Sequence, residues 1–170
     1  DALITGEMTM PLGIDAAAPV ARLHLENIPV TQELKPLFPA KSQKFFEHFL
    51  PTGKVTGDVE IKRFASGKWL PVSVVGNAVN ASMEFHKFQY PVTGISASLQ
   101  QRPIAETASS MNEVVFDVIA NGMAGDRPVK AVGWMQNPGP EMQFEFQVGI
   151  ENLAMDARFR DALCCRARRP

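Results

Sequence analysis

"MQFEFQVGIE", from Met142 to Glu151, alternates without a break: Met142, Phe144, Phe146, Val148 and Ile150 stand against Gln143, Glu145, Gln147, Gly149 and Glu151. A period of two sends five large apolar side chains to one side of an extended chain and polar groups to the other. Such a segment is a strand with one dry and one wet face, the pattern of an antiparallel sheet. The same signature, less pure, recurs in Ile4–Met10, Val20–Leu25, Val55–Ile61, Val72–Phe85, Val92–Leu99 and Val114–Ile119. Turn chemistry separates the runs: "PLG" at Pro11–Gly13, "SGK" at Ser66–Lys68, "GDRP" at Gly125–Pro128 and "NPGP" at Asn137–Pro140. The last of these predicts a hairpin joining Ala131–Met135 to the Met142 strand.

Helix signals are few. Thr31 is placed to cap "QELKPLF", with Pro36 forcing that helix to be short or kinked. Ser42 is placed to cap "QKFFEHFL", where Phe45, Phe46, Phe49 and Leu50 form an apolar stripe ended by Pro51 and Gly53. Asp156 is placed to cap "ARFRDALC", with Phe159, Ala162 and Leu163 facing inward.

One sentence of the sequence is written twice. "LENIPVTQELKPLF" (Leu25–Phe38) and "IENLAMDARFRDAL" (Ile150–Leu163) align at a constant offset of 125 residues (150 − 25). Glu26/Glu151 and Asn27/Asn152 are identical. Apolar residues correspond at Leu25/Ile150, Ile28/Leu153, Val30/Met155, Leu34/Phe159 and Phe38/Leu163, capping residues at Thr31/Asp156, and bases at Lys35/Arg160. Upstream, "TGEM" (Thr5–Met8) and "VGWM" (Val132–Met135) read as the first strand of each unit, with a spacing that differs by two. A hairpin feeding a short helix, recurring after several strands, is the mark of a modular β array. On this reading the repeat units end near residues 38 and 163, and residues 1–170 form a single β-rich domain excised from a longer array.

The totals are those of an ordinary globular chain: 170 residues, 45% hydrophobic, 21% charged, net charge −1. That balance gives no electrostatic case for nucleic acid. Arg158, Arg160, Arg166, Arg168 and Arg169 crowd the last residues, as expected of a solvated helix end. No apolar run approaches the ~20 residues of a membrane-spanning helix, and no signal peptide follows Asp1. Cys164 and Cys165 are the only cysteines. They suit a vicinal disulfide or two small apolar residues closing a helix.

Catalytic patterns are not found. His24, His48 and His86 lack metal-ligand spacing. Ser109 and Ser110 lie in "ETASSMNE", which is no nucleophile elbow. Glu106, Glu113 and Asp117 lack a partner that would define a general acid. No glycine-rich phosphate loop occurs. The chain therefore reads as a non-enzyme with no cofactor and no metal. Glu26-Asn27 and Glu151-Asn152 suit strand-end turns.

The order of these features resembles the AsmA-like and TamB-like family of bacterial envelope proteins, especially its planctomycete-type members. The residues that carry the resemblance are "IENLAMDARFRDAL", "LENIPVTQELKPLF", "FLPTGKVTGDVEIKRF" (a Leu-Pro-x-Gly stop before a long strand) and "FQYPVTGISASL" at Phe88–Leu99. It covers most of the chain from Gly53 onward and the helix before it. The resemblance implies a mainly β fold: a long antiparallel sheet curved into a groove, with two or three short helices on its apolar face. It further implies a periplasmic location within a membrane-anchored protein, contact with the membrane through other parts of that protein, and support of lipid transport or outer-membrane homeostasis. Met142, Phe144, Phe146, Val148, Ile150, Phe45 and Phe49 are then the candidates for contact with phospholipid acyl chains. An extracellular β-sandwich binding module is the alternative, for which Trp69 and Trp134 are the candidate contacts.

Overall fold

In the computed structural model, eight strands form one sheet in which spatial order and chain order coincide. The structure describes residues 1–11, 18–37, 43, 47, 50–85, 88–105, 107–137, 143–152, 157, 160 and 162. The strands are β1 (Leu3–Thr9), β2 (Val20–Val30), β3 (Thr52–Arg63), β4 (Trp69–Phe85), β5 (Phe88–Gln101), β6 (Val115–Ala124), β7 (Arg127–Gln136) and β8 (Gln143–Ile150). Every neighbouring pair is antiparallel, and β1 and β8 are the two edges. Each expected alternating run falls largely in one of these strands; Met10 and Val114 lie just outside β1 and β6, and Met142 lies outside the described residues. The hairpin expected across "NPGP" is the β7–β8 pair.

The strands are longer than the alternation suggests, because several skip a beat. β2 shifts register between Leu25 and Ile28, where Asn27 takes φ 52° and its N–H donates to Thr56 Oγ1 at 3.1 Å. That bulge restores Ile28 to the face of Leu25, so the strand runs on to Val30. β3 shifts at Gly53 (φ 128°), β4 near Asn80 (φ 52°) and β5 at Gly94 (φ 57°). A bulged strand bends and twists locally, and residues in the left-handed region at such points are Gly or Asn for steric reasons.

The helices expected on the apolar face are not borne out: among the described residues no helix of seven or more residues occurs. Gln32–Leu37 is a 3-10 turn containing Pro36, which has no N–H to give an α-helical ladder. Of the second expected helix only Gln43, Glu47 and Leu50 are described, and of the third Ala157, Arg160 and Ala162; all are in helical backbone except Leu50, which has φ 39°. Phe45, Phe46, Phe49 and Asp156 lie outside the described residues.

Packing is concentrated at the two ends of the strands. At one end Phe64, Leu70 and Ala108 form a buried cluster, flanked by Val72, Ile104 and Met111. The connection from β5 to β6 closes over it, pinned by a 3-10 turn (Met111–Glu113) with a capping box. Ser110 Oγ accepts from the Asn112 N–H, and Glu113 Oε1 accepts from the N–H groups of Ser109 and Ser110. These serines and Glu113 hold a loop, as "ETASSMNE" suggests. At the other end Tyr90, Ala124 and Val129 bury Ala162.

Candidate functional site: an open apolar face

The pairing registers draw rows straight across the sheet, and residues in a row share a face. One row reads Ile4, Leu25, Gly57, Gly76, Leu99, Val118, Gly133, Phe146. The next on that face reads Ile28, Val55, Ala78, Ala97, Ala120, Ala131, Val148. Two rows on the other side of the first come Phe116, Met135 and Phe144, beginning from Gln101. Neither complete row carries a charge. The opposite face is polar along Thr5, His24, Asp58, Val75, Gln100, Asp117, Trp134 and Glu145.

The apolar rows are packed away only in part: Phe116 is 6% exposed and Gly57 is buried, but much of the rest is not. Ile4 is 62% exposed, Phe144 55% and Val148 61%. Between the two end clusters the central rows are only half-buried. The chain exposes 11602 Å², whereas a compact monomer of 18.7 kDa exposes about 8,300 Å². A sheet with an apolar face normally buries it against another layer. Here all eight described strands lie in one sheet, and no second sheet among the described residues covers that face.

Of the residues expected to meet lipid, Phe144, Phe146, Val148 and Ile150 do share this face, and the Phe144 and Phe146 rings lie 6.1 Å apart at 44°. Met142, Phe45 and Phe49 lie outside the described residues. What bulk-seeking sequence reading missed is the smoothness of the surface beside them. Gly57, Gly76 and Gly133 fall in one row and four alanines in the next. The alanines and glycines become visible as a strip only when adjacent strands are set in register. A Cβ on Gly133 would overlap the Glu145 carbonyl oxygen and lie 2.6 Å from the Phe146 ring, so β7 and β8 approach as they do only because Gly stands there.

Buried in the same face, Gln101 donates from Nε2 to the Pro71 carbonyl at 2.8 Å, and its Oε1 has no partner. The polar face is neutralised pairwise. Arg22 donates to Glu60 (2.8 Å) and Glu7 (3.3 Å), His24 Nδ1 lies 2.7 Å from Asp58, and Arg102 forks onto Asp117. The hydrogen bonds that Arg22 donates to Glu60 and Glu7 raise its pKa, and the hydrogen bond that Arg102 donates to Asp117 raises that of Arg102. The hydrogen bond from Arg102 holds Asp117 below its ordinary 3.8, with the guanidinium charge adding to the effect. These are solvated pairs between neighbouring strands, each contributing little on its own. Trp134 is half-buried on this face and Trp69 is exposed at the start of β4. Among the described residues no group of three potential metal ligands occurs, and no helix is long and apolar enough to cross a membrane.

No protein-family model, curated protein or solved structure matches the chain.

Proposed function

We propose that this chain is a non-enzymatic β-groove element of a larger bacterial envelope protein, and that its open apolar face receives the acyl chains of phospholipids. One observation carries the reading: a charge-free row crosses all eight strands, a second crosses seven of them, and most of both is left partly exposed. Apolar surface on that scale has an occupant, since each buried methylene gains about 0.8 kcal/mol. Acyl chains suit it better than a folded protein surface does. The strip is smooth where Gly57, Gly76 and the alanines lie, and it offers no polar group to fix a directional partner apart from Gln101. The bulges at Asn27, Gly53, Asn80 and Gly94 bend neighbouring strands, which favours a trough over a flat wall. The resemblance to AsmA-like and TamB-like proteins points the same way and supplies the periplasmic setting of the proposal. The sandwich alternative requires two packed sheets, and all eight described strands belong to one.

Native mass spectrometry of the chain, purified without detergent, tests the reading by looking for co-purified phospholipid. Phe146→Glu is expected to keep the β-sheet circular dichroism and lose the lipid. Loss of the fold instead would mean that Phe146 belongs to a closed core, where an unpaired carboxylate is costly. Retained fold with unchanged lipid, or no lipid on the parent chain, overturns the proposal.

A further inference from the structure

The two copies of the repeated sentence are equivalent in their strand pairing. In the first hairpin Ile4 faces Leu25, Thr5 faces His24 and Glu7 faces Arg22. In the last, Val129 faces Ile150, Lys130 faces Gly149 and Val132 faces Gln147. Every one of these residues moves by the same 125 positions, so β7–β8 repeats β1–β2 without a slip. The equivalence reaches the backbone two residues past Leu25 and Ile150, because Asn27, within β2, has φ 52° and Asn152, after β8, has φ 51°. It corrects the expected match of "TGEM" with "VGWM": Thr5–Met8 corresponds to Lys130–Gly133, and the two-residue difference in spacing disappears.

The environments of the two hairpins differ at both outer edges, and β1 is a margin of the sheet where its counterpart β7 carries β6. The outer edge of β2 carries β3, and the matching edge of β8 is the margin of the sheet. From this we infer that the outer edge of β8 is a strand-accepting site, and that its occupant is a polypeptide segment with the pattern of β3. This inference does not rest on the lipid reading.

Transferring the β2–β3 register by 125 residues specifies the pairing. Gly57 faces Leu25 in β2, so the corresponding glycine of the incoming strand faces Ile150. The residue matching Val59 then faces Val148, that matching Ile61 faces Phe146, and that matching Lys62 faces Glu145. The apolar pairs fall on the apolar face, and the lysine meets the only charged residue of β8. An edge not meant for pairing is usually blunted by Pro, Lys or a bulge. β8 has none of these: it runs for eight residues, pairs with β7 without a register shift, and is exposed almost throughout. Strand addition to such an edge takes its affinity from main-chain hydrogen bonds and its register from alternate side chains.

The test uses the full chain and a labelled peptide of the sequence Thr52–Arg63, with hydrogen exchange and fluorescence anisotropy as readouts. Saturable binding is expected, with new protection of alternate amides in Gln143–Ile150 and none in Leu3–Thr9. Gln147→Pro and Val148→Pro each remove one N–H, and the two point to opposite edges, so only one of the pair should abolish binding while leaving β7–β8 paired. Replacing Lys62 by Glu in the peptide should weaken binding about threefold to tenfold, and Glu145→Lys in the chain should restore it. Equal binding of a scrambled peptide, protection at β1 instead of β8, failure of the charge swap, or no binding overturns the inference. So does concentration-dependent protection of β8 by a second copy without peptide, which would make the edge a self-association site.

Discussion

The ends of the sheet and its middle are made of the same residue types and have opposite fates. At the ends, connections fold back: Leu70 is 2% exposed beneath the β5–β6 loop, and Ala162 lies at 3% against Tyr90. In the middle, Leu25, Leu99 and Val118 stand in a row under no described layer and are only half-buried. The difference teaches that apolar alternation makes a strand and chooses its face, but a second layer alone turns that face into a core. Free energy is concentrated where the chain supplies its own cover. Where it supplies none, the same side chains are available for binding.

The sharpest way to break this contrast is to truncate one residue of each kind. Leu70→Ala should cost about 2–5 kcal/mol in urea unfolding, because a closed cluster cannot collapse around the cavity. A cost below about 1 kcal/mol would show that the end cluster is as open as the middle, and the contrast would be lost.

Next in size are the glycines of the central row. Gly133→Ala should destabilise by about 1–3 kcal/mol, since the new methyl overlaps the backbone of β8 at Glu145. Gly76→Ala, in the same row, meets nothing within 4 Å and should stabilise by about 0.4–1 kcal/mol through the unfolded chain. Equal effects at the two sites, measured by thermal unfolding, would mean that β8 does not press on β7.

The strands were legible because period two survives in the letters, as in Met142–Ile150 and Val55–Ile61. Their lengths were not. A bulge such as that at Asn27 breaks the phase, so the alternation stops at Leu25 although pairing continues to Val30. The helices were overread. Thr31 and the apolar spacing after it satisfy a helix template, but Pro36 leaves a 3-10 turn. For the site, bulk was visible and smoothness was not. Phe144, Phe146, Val148 and Ile150 announce an apolar face within one strand, whereas Ala78, Ala97, Ala120 and Ala131 form a strip only through four strands in register. The shared letters of Glu26-Asn27 and Glu151-Asn152 suggested a repeat, and β1–β2 and β7–β8 pair at the same offset. The repeat's first strand was misplaced by two because shared Gly and Met letters outweighed pairing, which one sequence does not display.

On the open face itself, Phe144→Ser should move stability by only about 0.5 kcal/mol, the ordinary scale for a surface substitution. Its effect belongs instead to lipid retention in native mass spectrometry. A loss of several kcal/mol would place Phe144 under a layer and close the face.

The smallest effect lies on the polar side of the same strands, where Arg102 forks onto Asp117 across β5 and β6 at 2.7–3.1 Å. The Asp117 carboxyl is held below its ordinary 3.8 chiefly by the hydrogen bond from Arg102, which outweighs the opposing effect of desolvation, with the guanidinium charge adding less. A carboxylate whose folded pKa is depressed contributes its stability in full above the unfolded value. That contribution fades as pH falls through the folded value, so its window opens near 3.8 and extends downward. Both side chains are about half-exposed, so water and salt screen the pair and its share of the total is slight. Carboxyl NMR should show Asp117 titrating below 3.8, with Arg102→Gln returning it to the ordinary range and leaving unfolding above pH 5 almost unchanged. If Arg102→Gln instead lowers stability at neutral pH as much as Leu70→Ala does, the polar face is holding the sheet together. The division between a self-covered end, an open apolar middle and a merely solvated reverse side would then have to be redrawn.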